Sequence, residues 1–116
     1  MDSTFHIDLR SKINEYIHLV YKATRYFPKE ELYGITSQLR RSSMSVMLNY
    51  IEGYARIKSK VHKNFIEISY GSLQESKYLI EFSFDEKYIP KEEYQALKEL
   101  SEKIGAMLWG IIRNIK

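Results

Sequence analysis

Apolar residues recur at steps of three and four along most of the chain, which is the period of an amphipathic α-helix. The pattern predicts a first helix from Ile7 to about Tyr26 and a second from Leu32 to about Tyr54. Residues with strong cap or break preferences mark further boundaries: a weak point at Gly34, a C-terminal cap at Gly53, an N-cap for a third helix at Ser59 and the first residue of a fourth helix at Pro90.

The third and fourth helices each carry a stripe of residues that we expect to face the core. The third has Phe65, Ile68, Ser72, Leu79 and Phe82, and the fourth has Tyr94, Leu97, Leu100, Ile104, Leu108, Ile111 and Ile115. No strand-like alternation appears, and the connections between the four helices are short. The sequence therefore predicts an all-α fold, an antiparallel up-down-up-down four-helix bundle in which residues 1–116 form a single domain.

The fourth helix is apolar nearly all round beyond Ile104. Met107, Trp109 and Ile112 lie off its core stripe, and one face of an isolated bundle cannot bury all of these side chains. We expect these three residues to form an oligomer interface with another copy of the chain. The alternative is that they are scattered surface hydrophobes.

The chain carries a net charge of only +3, but its basic residues are concentrated in one region. Within residues 36–63, six Lys and Arg residues are opposed by Glu52 alone. Such a cluster can contact phosphate groups, although a charge run is more often a solvated face. The candidate nucleic-acid-binding residues are Arg40, Arg56, Lys58, Lys60 and Lys63.

A row of polar residues lies along one face of the second helix. Arg41, Ser45, Asn49 and Glu52 follow one another at steps of four, four and three. If the second and third helices form an antiparallel hairpin, Arg41 lies opposite Glu75 and the two should pair, while Asn49 and Glu52 bond the backbone near Gly53. We interpret the row as a structural polar network that fixes register, and not as a catalytic site.

The sequence gives little support to enzyme chemistry. There is no cysteine for a disulfide, thiolate nucleophile or zinc site, no Gly-x-Ser-x-Gly elbow and no glycine-rich phosphate loop. One Glu-x-x-His motif, at Glu15 and His18, has no second copy with which to build a di-iron site, so we expect no metal and no cofactor. No apolar run approaches the length of a membrane span, and we expect a cytoplasmic protein that does not enter a membrane.

Three segments resemble a known bacterial family: residues 39–45, 49–53 and 71–75, which read LRRSSMS, NYIEG and GSLQE. They resemble the four-helix bundle proteins encoded in 23S rRNA intervening sequences, sometimes labelled S23 ribosomal protein. That group is also similar to the accessory variability protein of diversity-generating retroelements. The resemblance implies a ring-like homopentamer with a basic surface for nucleic acid and, in the retroelement branch, a reverse transcriptase as partner. It does not imply catalysis.

The leading hypothesis is a non-enzymatic oligomeric protein that binds nucleic acid, RNA or DNA, with structured RNA the favoured partner. Two alternatives stay open. One is a protein–protein interaction scaffold without nucleic-acid binding. The other is a metal-independent ribonuclease, because Arg56 and His62, separated by five residues, loosely resemble the Arg-x(4–6)-His motif of HEPN-domain nucleases.

Overall fold

The computed structural model of the protein describes residues 3–56 and 58–115, and these residues form four α-helices and no strand. The helices are α1 (Ser3–Thr24), α2 (Ile35–Tyr54), α3 (Ser59–Asp85) and α4 (Lys91–Asn114). A single 3-10 turn, Lys29–Glu31, lies between α1 and α2. The predicted all-α four-helix fold is confirmed.

Each helix packs against two others: α1 and α3 both contact α2 and α4. Side chains near the end of one helix contact side chains near the start of the next, so the neighbours run antiparallel. The contacts that show this are Tyr50–His6 and Arg40–Thr24 between α2 and α1, Ser69–Val46 between α3 and α2, and Tyr94–Phe84 and Trp109–Tyr70 between α4 and α3. The arrangement is an up-down-up-down bundle.

The most extensive contact between two helices joins α2 and α3, and small residues line it. The hydroxyl of Ser69 crosses from α3 and donates to the carbonyl of Val46, at 2.6 Å. Gly53 is buried within the last turn of α2, where an added Cβ would lie only 2.9 Å from Cδ1 of Ile66. Gly53 is therefore a point of close helix approach, and the prediction that it caps α2 is wrong, because the C-cap is Ala55.

The core stripe of α3 differs from the predicted one. Ile66, Leu73 and Ile80 are buried, together with four serines, whereas Ile68 and Phe82 are 43% and 41% exposed. Of the predicted stripe, Ser72 is buried and Leu79 packs against the core. The hydrophobic pattern did not find the rest of the buried face, because serines occupy much of it and their hydroxyls bond to backbone carbonyls or to other hydroxyls.

Two helix boundaries also differ from expectation. Gly34 breaks the predicted second helix, so Leu32 lies outside α2. The N-cap of α3 is Lys58, and Ser59 is the first helical residue. Lys58 makes no side-chain capping bond, so the first backbone N–H groups of α3 receive no cap from its side chain.

The predicted stripe of α4 is largely buried, with Leu97, Ile104 and Leu108 fully enclosed. The proposed interface residues behave differently from one another. Ile112 belongs to the core and Met107 packs against the core, which differs from the expectation that both lie off the core stripe. Their part in an oligomer interface stays a prediction. Trp109 alone of the three is exposed, at 49%, with its ring 5.7 Å from that of Tyr70. Ile112 is buried because the face of α4 that packs against the other helices is wider than the predicted core stripe.

None of the helices in residues 3–56 and 58–115 is long and apolar enough to cross a membrane. Within the same ranges, no group of three or more His, Asp or Glu side chains has the arrangement needed to hold a metal ion.

Candidate nucleic-acid interface

Four of the five predicted phosphate-binding residues lie at one end of the bundle. Arg56, Lys58, Lys60 and Lys63 surround the connection from α2 to α3, and we call them the basic end. Arg56, Lys58 and Lys60 are exposed and Lys63 is half-buried. Because Lys58 leaves the α3 N-terminus without a side-chain cap, and no acidic residue lies in the first helical turn, the partial positive charge of the helix end adds to that of the lysines.

Arg56 is partly neutralised within the chain. It forms an ion pair with Glu52, one turn earlier on α2, and its guanidinium lies 5.2 Å from the centre of the Phe65 ring. Within the described residues the three lysines of the basic end form no ion pair. The unopposed positive charge at this end therefore belongs mainly to Lys58, Lys60 and Lys63.

Arg40 does not belong to this surface. It lies fourteen residues before Tyr54, the last residue of α2, which places it about 21 Å away along the helix axis. Its Nε–H donates to Oγ1 of Thr24 at 2.8 Å, and its guanidinium lies 4.9 Å from the centre of the Tyr21 ring. Arg40 therefore does not share a surface with the other four candidates, since a straight helix separates residues that the sequence places in a single basic segment, and its contact with nucleic acid stays a prediction.

The polar row of α2 makes contacts other than those predicted. The hydroxyls of Ser45 and Ser72 lie 2.9 Å apart and join α2 to α3. The Asn49 amide donates back to the Ser45 hydroxyl at 2.8 Å and to the Ser45 carbonyl at 2.9 Å. Glu52 pairs with Arg56. Asn49 and Glu52 therefore do not bond the backbone near Gly53, and each bonds instead to a residue four positions away in the chain.

Arg41 and Glu75 line the same cleft between α2 and α3, a space of about 380 Å³ open to solvent. The antiparallel register brings them to this cleft, as the sequence indicated. They do not form an ion pair within 4.0 Å in the described structure, so the predicted direct pairing is wrong. Both side chains are exposed, where a pair of long charged side chains gains little over solvation.

His62 ties the start of α3 to the end of α2. Its Nδ1 lies 2.7 Å from the Gly53 carbonyl oxygen, and since a carbonyl only accepts, Nδ1 carries the proton. The ring also packs edge-on against Tyr54, which in turn packs against His6. Burial raises the pKa of Tyr54 to about 12, so its phenol stays neutral. This cluster was not predicted, because His6 and His62 are distant along the chain.

The two residues of the nuclease-like motif both have structural partners. Arg56 is held by Glu52 and Phe65, and His62 by the Gly53 carbonyl. No hydrogen bond or ring contact joins Arg56 to His62 within the described residues. The ribonuclease hypothesis therefore stays a prediction that rests on the motif spacing.

The match to known proteins covers all four helices. The sequence model of the family described as 23S rRNA-intervening sequence protein matches residues 6–110. The chain belongs to this 23S rRNA-intervening sequence protein family. The resemblance seen in the three sequence segments is thereby confirmed at the level of this family, while the relation to the retroelement accessory protein stays a prediction.

A solved structure supports the fold of this family member. The crystal structure of a protein of unknown function from the S23 ribosomal protein family of Bacteroides thetaiotaomicron VPI-5482 superposes with a TM-score of 0.84. The two sequences are 20% identical, and the match covers 91% of this chain and 99% of the other. The comparison with curated proteins found no significant match. At this identity the likeness establishes the shared fold.

Proposed function

We propose that this member of the 23S rRNA-intervening sequence protein family is a non-enzymatic protein that binds structured RNA through its basic end. The observation that carries the proposal is the group of three lysines, Lys58, Lys60 and Lys63, around the start of α3. They form no ion pair within residues 3–56 and 58–115, so their charge is available to phosphate.

Two further features of the basic end suit phosphate. The N-terminus of α3 directs backbone N–H groups and a partial positive charge to the same place as the lysines, which is an arrangement that binds anions. The tie between His62 and Gly53 fixes the position of that helix start relative to α2. The site recognises backbone phosphates and carries no array of groups aimed at base edges, so we expect strong salt dependence and little sequence preference.

Fluorescence anisotropy with a labelled RNA hairpin, and with a DNA hairpin of the same sequence, tests the proposal. Three phosphate contacts predict that log K falls with log salt concentration with a slope of about −2 to −3, from roughly 0.7 to 0.9 per contact. Binding to both nucleic acids with that slope supports contact through phosphates. Absence of binding to either nucleic acid at low salt would refute the proposal and favour the protein–protein interaction scaffold.

Self-association is the second part of the proposed function. The exposed apolar side chains, among them Trp109, Leu48 and Tyr78, lie on several helices and are suited to contact with other copies. The homopentamer implied by the family resemblance is our expectation for the assembly. Light scattering at several protein concentrations gives the number of chains, and a mass of 13.8 kDa at every concentration would contradict it.

A further inference from the structure

The outer surface of α2 carries a groove with apolar walls. It has a volume of about 590 Å³, and we call it the α2 groove. Its walls include Tyr33, Arg40, Arg41, Met44 and Leu48. Tyr33 is 93% exposed and Leu48 58% exposed. Aliphatic and thioether side chains of this kind contact another protein more readily than a nucleic acid.

The polar groups of the α2 groove lack partners of opposite charge. Arg40 is held in place by Thr24 and Tyr21, and no acidic residue is among the described residues that line the groove. Guanidinium groups bind carboxylates, so an occupant should bring carboxylates on an apolar body.

The outer face of α3 on this same chain has that composition. The face comprises Ile68, Gly71, Glu75, Tyr78 and Phe82, at helical steps, and all five residues are exposed. Glu75 supplies the carboxylate of this face, and the other four residues bring apolar or aromatic groups and a glycine. The helix is 27 residues long, or about 40 Å, which is enough to cross the groove.

Gly71 supplies an independent reason to expect a helix partner on this face. An added Cβ there would meet nothing within 4 Å, so the fold of one chain does not require glycine at this position. Glycine in a helix interior is destabilising relative to alanine. A second helix lying close against α3 would account for it, since glycine allows the closest backbone approach.

We propose that the α2 groove of one copy of the chain receives the α3 face of a second copy. The apolar side chains Tyr78 and Phe82 pack against Leu48 and Met44, and the carboxylate of Glu75 approaches Arg40 and Arg41. Within one chain Arg41 and Glu75 face a shared cleft without pairing, which leaves both charges available to a second copy. The inference rests on the self-association of the proposed function and names the two surfaces that produce it.

Two substitutions at exposed positions test the pair of surfaces. Leu48→Glu places a carboxylate in the groove, and Tyr78→Glu places one on the α3 face. Ile7→Glu is the matched control, because Ile7 is 68% exposed and belongs to neither surface. We expect light scattering to give a multiple of 13.8 kDa for the wild-type chain and for Ile7→Glu, and 13.8 kDa for the other two variants, with circular dichroism unchanged in all four.

Mixing the two dissociated variants makes the test specific. Leu48→Glu keeps an intact α3 face and Tyr78→Glu keeps an intact groove, so an equimolar mixture should form a species of twice 13.8 kDa that neither forms alone. A wild-type oligomer unaffected by both substitutions, but dissociated by Trp109→Glu, would overturn this inference and preserve self-association. A wild-type monomer would overturn both. Weaker RNA binding by Leu48→Glu with no change of mass would assign the groove to nucleic acid and overturn it as well.

Discussion

Removing the Ser76 hydroxyl should destabilise the bundle more than removing the Tyr16 hydroxyl that bonds to it. Tyr16 on α1 is fully buried, and its hydroxyl lies 2.7 Å from Oγ of Ser76 on the diagonally opposite helix α3. Ser76 donates its own proton to the Leu73 carbonyl at 2.8 Å. Since a serine hydroxyl has one proton, Tyr16 must be the donor in the bond across the core.

The expected magnitudes follow from what each substitution leaves behind. Ser76→Ala strands a buried tyrosine O–H without an acceptor, which costs about 1–3 kcal/mol, whereas Tyr16→Phe loses one hydrogen bond, about 0.5–1.5 kcal/mol, and leaves Ser76 bonded to Leu73. In the double variant the stranded donor is gone, so its free energy of unfolding should equal or exceed that of Ser76→Ala alone.

Urea unfolding followed by circular dichroism gives the four free energies of the cycle. Ser83→Ala is the control, because Ser83 is also a fully buried serine of α3 and its hydroxyl bonds to the Leu79 carbonyl of its own helix, at 2.7 Å. We expect the control to lose less stability than Ser76→Ala. If Ser83→Ala is as destabilising as Ser76→Ala, or if Tyr16→Phe is the worse of the cycle's two single variants, the reasoning about the stranded donor is refuted.

Three further predictions concern the α2–α3 hairpin. Gly53→Ala should lower the free energy of unfolding, measured by thermal unfolding, by about 1–2 kcal/mol. The new Cβ would lie 2.9 Å from Ile66, and the overpacking outweighs the helix preference of alanine. A gain in stability would contradict this prediction. His62→Ala should lower the free energy of unfolding in urea by about 1 kcal/mol, because the bond to the Gly53 carbonyl is lost. Labelled RNA incubated with the wild-type chain should stay intact on a denaturing gel. Cleavage that disappears in His62→Ala would support the ribonuclease hypothesis. Burial raises the pKa of Tyr54 from 10.0 to about 12, so the neutral phenol stabilises the fold below pH 10 and this contribution is lost as the pH rises through 12. Between pH 10 and 12 the free energy of unfolding of Tyr54→Phe should therefore fall less steeply than that of the wild-type chain. Equal slopes for the two chains would count against the burial of this phenol.

The fold was predictable because the helical period is strong in all four segments and the connections between them are short. The face that α3 buries was not predictable in the same way. Its core stripe contains Ser69, Ser76 and Ser83, which a hydrophobic pattern treats as polar, while Ile68 and Phe82 on the outer face look like core residues. Serine hydroxyls bonded to carbonyls are compatible with burial, and sequence reasoning does not see those bonds.

The candidate site was predictable only where it is local. Arg56, Lys58, Lys60 and Lys63 surround one connection, so their nearness in sequence became nearness in space. Arg40 is close to these residues in sequence but not in space, because it lies about four turns before the end of the straight helix α2. The antiparallel hairpin correctly brought Arg41 and Glu75 to one cleft, but register does not determine whether two exposed side chains pair.

The central claim, that RNA binds at the basic end, is tested most directly by charge reversal at two places. One variant replaces Lys58, Lys60 and Lys63 with glutamate. The matched control makes the same replacement at Lys22, Lys29 and Lys91, at the opposite end of the bundle, so both variants have the same net charge. Anisotropy with the RNA hairpin should show affinity lowered by at least about 100-fold, with a salt slope reduced by about 2 to 3, in the first variant only. Equal losses in the two variants would contradict the account, because they would show that only net charge matters.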